Sequence, residues 1–128
     1  MKFLLDTHSF IWWDDEPGRL SPTVLSLCQD KENQMVLSVI SAWEIQLKMS
    51  LGKLTIRKPL KEVIEQQQQD NNLILLPLTL THVLALDGLP FHHKDPFDRM
   101  LIAQAKAENL SLISHDPMMK PYSIPVIW

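Results

Sequence analysis

Asp6, Glu44, Asp98 and Asp116 are carboxylates at positions that a fold can bring together. Asp6 ends the apolar run Phe3-Leu4-Leu5, and Glu44 closely follows a second apolar run, Met35 to Ile40. Asp98 lies in the first turn of a helix opened by Asp95-Pro96, and Asp116 lies two residues beyond Ser111-Leu112-Ile113-Ser114. Each acid has a structural explanation on its own. Asp6 can cap a helix, Glu44 can complete a capping box with Ser41, Asp98 can answer a helix dipole, and Asp116-Pro117 can form an Asx turn. Their convergence means more than any one of them. Like charges gathered in a half-buried cleft raise one another's pKa unless a cation sits among them. An all-oxygen set suits a hard ion, Mg²⁺ or Mn²⁺, rather than zinc, and such clusters hold metal for phosphoryl chemistry. No side-chain nucleophile is evident. With only Gly18, Gly52 and Gly88, neither is a glycine-rich nucleotide cradle.

The elements that must position these acids follow from short apolar runs alternating with helical periods. Asp95 suits an N-cap and Pro96 a first helical position. Phe97, Leu101, Ile102 and Ala105 then recur at a helical spacing that buries one stripe. Strands are expected at Lys2–Leu5, Met35–Ile40, Leu73–Leu76 and Ser111–Ser114, with a fifth over Ile124–Ile127 kept to an edge by Pro125. Helices are expected after Asp6 or Thr7, from Ser21-Pro22, from Ser41 to Gly52, from Pro59 into Gln66–Gln69, and from Thr79. The acids Asp14-Asp15-Glu16 read as a solvated loop, and the glutamines as an exposed face. Strands alternating with helices indicate an α/β domain with a mainly parallel sheet of four or five strands. In such a sheet, strand C-termini and the following helix N-termini share one edge, where ligands bind. All four acids fall on that edge.

The bulk numbers bound the rest. A chain of 128 residues with 45% hydrophobic composition makes one domain, 1–128, with room for a core. No apolar run is long enough to span a membrane or to act as a signal peptide, so the expected location is cytoplasmic. The single cysteine, Cys28, excludes an internal disulfide and a multi-cysteine zinc site. A net charge of −3 argues against a general nucleic-acid coat. A local basic face remains open, because Lys48, Lys53, Arg57, Lys58 and Lys61 fall within one short segment.

The blocks Leu4-Leu5-Asp6-Thr7-His8, Ser38-Val39-Ile40-Ser41-Ala42-Trp43-Glu44-Ile45, Asp95-Pro96-Phe97-Asp98-Arg99-Met100-Leu101-Ile102-Ala103 and Ser114-His115-Asp116 resemble, in order, those of PIN domains. Among these they are most similar to the VapC ribonuclease toxins of bacterial type II toxin–antitoxin pairs. The resemblance spans essentially the whole chain and is weakest from about Lys53 to Leu86. It implies a three-layer α/β/α sandwich and metal-dependent endonucleolytic cleavage of RNA by metal-activated water. It carries over Asp6, Glu44, Asp98 and Asp116 as the acidic set, with Asp6, Glu44 and Asp98 on the metal and Asp116 assisting. Thr7 would orient Asp6 or a water, and Asp95 would be cap or support. It also implies an antitoxin partner and a homodimer. Two other readings stay open: a housekeeping PIN nuclease without an antitoxin, and an inactive PIN domain that binds proteins.

Several further residues invite a role. His8 and His115 each neighbour an acid and are candidates for support or substrate contact. Arg99 can pair with a carboxylate or meet a phosphate. His92-His93 reads as a solvated loop pair, with a metal role as the alternative. Trp12 and Trp13 are adjacent, so one helix cannot bury both; the outward one would cover a partner surface or pack under a loop. Trp43 is expected to pack.

Overall fold

The structure, a computed structural model, describes residues 1–128. Its centre is β1 (Lys2–Leu5), flanked on one side by β2 (Gln34–Ser38) and β3 (Ile74–Leu76) and on the other by β4 (Ser111–Ile113) and β5 (Val126–Ile127). Every neighbouring pair is parallel, in the order β3-β2-β1-β4-β5. Pro125 lies just before β5, which sits at an edge as expected.

Alternation along the strands divides the core in two. Phe3, Leu5, Met35, Leu37 and Ile113 point to one face, while Leu4, Val36 and Leu112 point to the other. A sheet buried on both sides needs helices on both. The first face packs residues of α1 (Thr7–Asp15), α2 (Pro22–Gln29) and α4 (Leu60–Asn71). The second packs the apolar stripe of α6 (Pro96–Ala107), with Met100, Leu101, Ile102, Ala103 and Ala105 all buried. α3 (Val39–Ser50) serves both, through Ile45 on one side and Ile40 on the other. The short α5 (Leu80–Leu84) packs against α6. This is the expected three-layer α/β/α sandwich.

Four local expectations change. β2 runs into α3 without a loop, because Ser38 accepts from the Ile40 N–H (3.1 Å) and caps the helix; Ser41 and Glu44 lie inside it and form no capping box. α1 continues through Asp14 and Asp15, which are tied down rather than solvated: Arg57 pairs with both, and Gln67 donates to Asp14 Oδ1 (3.1 Å). Gln67 is accordingly buried and departs from the exposed glutamine face. Trp43 does not pack into the core; it is 59% exposed, with an edge-on contact to Phe97. Gly52, just past α3, takes φ +70°, a conformation glycine adopts without penalty.

Candidate active site

Asp6 follows β1 and is the N-cap of α1. Its Oδ1 accepts from the Ser9 N–H (2.9 Å), and its Oδ2 accepts from the Ser114 hydroxyl (2.6 Å) at the end of β4. The buried carboxylate thus has its orientation set from α1 on one side and from the end of β4 on the other. Glu44 faces α1 from within α3. Thr7 Oγ1 donates to Glu44 Oε1 (2.6 Å), and Lys48, one turn on, pairs with Oε2. Thr7 therefore orients Glu44 rather than Asp6. The bond to Glu44 raises the Lys48 pKa, and the charges of Asp95 and Asp98 raise it further.

Asp98 and Asp116 meet at His93, which the sequence reads as a solvated loop residue with a metal role as the alternative. His93 Nε2 lies 2.9 Å from Asp98 Oδ2 and 3.0 Å from Asp116 Oδ2. The nearest donor atoms of these three side chains lie within 4.8 Å of one another. His93 Nδ1 accepts from the Asp95 backbone N–H (3.2 Å), so the neutral ring carries its proton on Nε2. That proton meets Asp116 Oδ2, and Asp98 Oδ2 lies close beside the same nitrogen. A histidine ligating through one nitrogen donates from the other, and here the other nitrogen accepts. As placed, His93 clamps the two acids together. The solvated-loop reading holds for His92, which is exposed against the edge of Tyr122, and fails for His93.

The clamp has its own anchor. The buried Arg99 guanidinium donates to the carbonyls of Leu89 (3.2 Å) and Pro90 (2.8 Å) and to Tyr122 Oη (3.3 Å), and the Phe91 ring lies over it. Tyr122 Oη in turn accepts from the His93 N–H (2.8 Å). Arg99 therefore meets neither a carboxylate nor a phosphate; it pins the loop that delivers His93. Long-range partners such as Tyr122 and Asp116 leave no local signal, so spacing could not have found this arrangement.

Electrostatics ties the set together. Burial raises the Asp98 pKa from 3.8 to about 7; the charges of Asp95, Asp6 and Glu44 raise it too, against His93, which lowers it. Asp6 and Glu44 thus act on Asp98 by their charge, although neither joins the close ring of His93, Asp98 and Asp116. Asp95 is the N-cap of α6, accepting from the Asp98 N–H (2.9 Å). Four carboxylates of which one resists ionisation form a donor set short of positive charge. That set fits a hard divalent cation. Beside it opens a cleft lined by Asp6, Asp116, Pro117, His8, Trp12 and His115.

The PIN-domain family profile matches residues 3–123. The chain belongs to the PIN-domain family. PIN domains are generally nucleases, and they usually work with a divalent metal. No curated protein matches this PIN domain at the sequence level. Solved structures match it in fold. The DNA-bound VapBC2 complex of Rickettsia felis includes a chain similar at TM-score 0.74 and 16% identity, over 99% of this chain and 98% of that one. The DNA-bound VapBC of Salmonella typhimurium gives 0.65 and 14%, over 99% and 97%. FitAcB of Neisseria gonorrhoeae gives 0.60 and 20%, over 98% and 96%. At these identities the likeness is one of fold. No helix of this PIN domain is long and apolar enough to cross a membrane.

Proposed function

We propose that this PIN domain is a metal-dependent endoribonuclease of the VapC type, the toxin of a type II toxin–antitoxin pair in the cytoplasm. The observation that carries the nuclease reading is geometric: Asp98 and Asp116 meet at His93, and Asp116 shares one cleft with the oriented Asp6. A protein-binding scaffold has no use for carboxylates gathered in this way. Asp6, Glu44 and Asp98 would hold Mg²⁺, or Mn²⁺ in its place, with Asp116 assisting. When bound, such a cation supplies a Lewis acid that activates water and offsets charge on the phosphodiester. The chain's own part is preorganisation. Ser9 and Ser114 fix Asp6, Thr7 fixes Glu44, and His93, hydrogen-bonded to Asp116, holds it next to Asp98.

The VapBC and FitAB complexes among the structural neighbours support the antitoxin part of the reading. An Arg or Lys of such a partner would neutralise the acids in the cation's place. Neither tryptophan of α1 is fully exposed. Trp13 lines a cleft with Cys28, Gln34 and Met35, which makes it the better anchor for a partner chain.

Expression without a partner should arrest growth, and co-expression of the cognate antitoxin should relieve it. Asp6→Asn keeps an oxygen to accept from Ser9, so the fold should persist while RNA cleavage and toxicity are lost. Cleavage at the wild-type rate by this variant would show the site to be misassigned. Cleavage without toxicity would instead favour a housekeeping nuclease.

A further inference from the structure

The cleft beside Asp6 and Asp116 contains more than the metal chemistry uses. One end is acidic. The other is aromatic, with Trp12 half-buried and His8 and His115 exposed. Trp12 stands 5.8 Å from His8, 6.4 Å from His115 and 5.8 Å from Trp128, centroid to centroid, and His115 stands 5.0 Å from Trp128. The Arg19 guanidinium covers the Trp12 ring at 4.5 Å. This ring cluster is not sealed into the core. It lines an open space of about 320 Å³, within the size range of small-molecule sites.

We propose that this cleft is a nucleobase subsite, in which an unpaired base of the RNA stacks on His115 and Trp12 while its neighbouring phosphate lies at Asp6 and Asp116. The proposal rests on the ribonuclease reading above. Its chemistry is that of single-strand recognition, where bases splayed from a strand stack on aromatic and histidine rings. The ligand must be flat and uncharged where it meets the rings, yet anionic where it meets the cation held by the acids. A nucleotide has both ends. Arg19, 4.5 Å from the Trp12 ring and paired with Glu16, lies next to the platform and outside the acid cluster.

The test couples a missing base to a missing ring. Labelled single-stranded oligoribonucleotides, each with one abasic nucleotide at a successive position, are titrated by anisotropy with Ca²⁺ replacing Mg²⁺. One abasic position should weaken wild-type binding by about fivefold or more. His115→Ala should weaken binding of the intact strand comparably, and should no longer distinguish the abasic one. His115→Phe, which keeps a ring, should restore the distinction. A protein that merely lost structure would show neither coupling nor rescue. Abasic losses that persist undiminished in His115→Ala would overturn the subsite, as would no binding to any strand. If His115→Ala instead loses the antitoxin while keeping RNA, the cleft belongs to the protein partner and the subsite is again overturned. Strands that bind with the expected coupling but survive intact in Mg²⁺ would sink the nuclease reading alone.

Discussion

At the scale of single residues, Asp98 is the group with the most to reveal. Its folded pKa of about 7 lies above the ordinary 3.8, so between those values the native state holds more protons than the unfolded chain. The sign follows. Asp98's contribution to stability is complete below about pH 4 and is lost as pH rises through about 7; the loss is at most roughly 4 kcal/mol. In metal-free buffer the melting temperature should therefore fall from pH 5 to pH 8, and Asp98→Asn should flatten that fall. Mg²⁺ at pH 8 should restore the wild type and leave the variant nearly unmoved. Scanning fluorimetry decides it, and parallel pH curves for the two proteins would refute the account. Asp98 was legible in the sequence because its place beside a helix cap is a local fact. His93 was not, since its meaning lies in Asp116, a residue that only the folded sheet brings near.

At the scale of elements, α6 shows how two acids in one helical turn divide their work. Asp95 caps the helix and Asp98 faces the site. Asp95→Ala should cost on the order of 1 kcal/mol, seen as a lowered melting temperature with part of the RNA-cleaving activity kept. Asp98→Ala should abolish activity with little loss of stability. Melting curves and cleavage rates for the pair would expose a reversal of roles. The start of α6 was readable because cap, proline and apolar period agree. The start of α3 was not, because Ser38 and Ser41 both offer a hydroxyl. The sheet decides between them: Ser38 is the last residue of β2 in register with β3, opposite Leu76, whereas Ser41 is buried beside Thr7.

At the scale of the whole molecule, a row of side chains along α3 lacks a cover. Val39, Trp43, Leu47 and, just beyond the helix, Leu51 recur every fourth residue with exposures of 39%, 59%, 38% and 58%. Residues spaced this way share one helix face. An apolar stripe of this kind is the self-association surface we propose for a homodimer. Leu47→Glu should convert a dimer into a monomer in sedimentation experiments while leaving the far-ultraviolet circular dichroism unchanged. A wild type that sediments as a monomer at micromolar concentration would remove the proposal. The parallel sheet itself was readable from alternating runs, but this stripe was not, because its residues looked like core.

The order of the strands has a last consequence, in time rather than in space. β1 is made first, yet it pairs on its second side only with β4, nearly the last strand to be synthesised. The hydroxyl that steadies Asp6 belongs to Ser114, and Asp116 follows two residues later. A ribosome making this chain therefore releases the first and last of the four acids far apart, and nothing that stops short of β4 and Asp116 can assemble them. The acidic site is complete only once β4 has joined β1. A chain abandoned midway, or clipped before β4, cannot gather the acids.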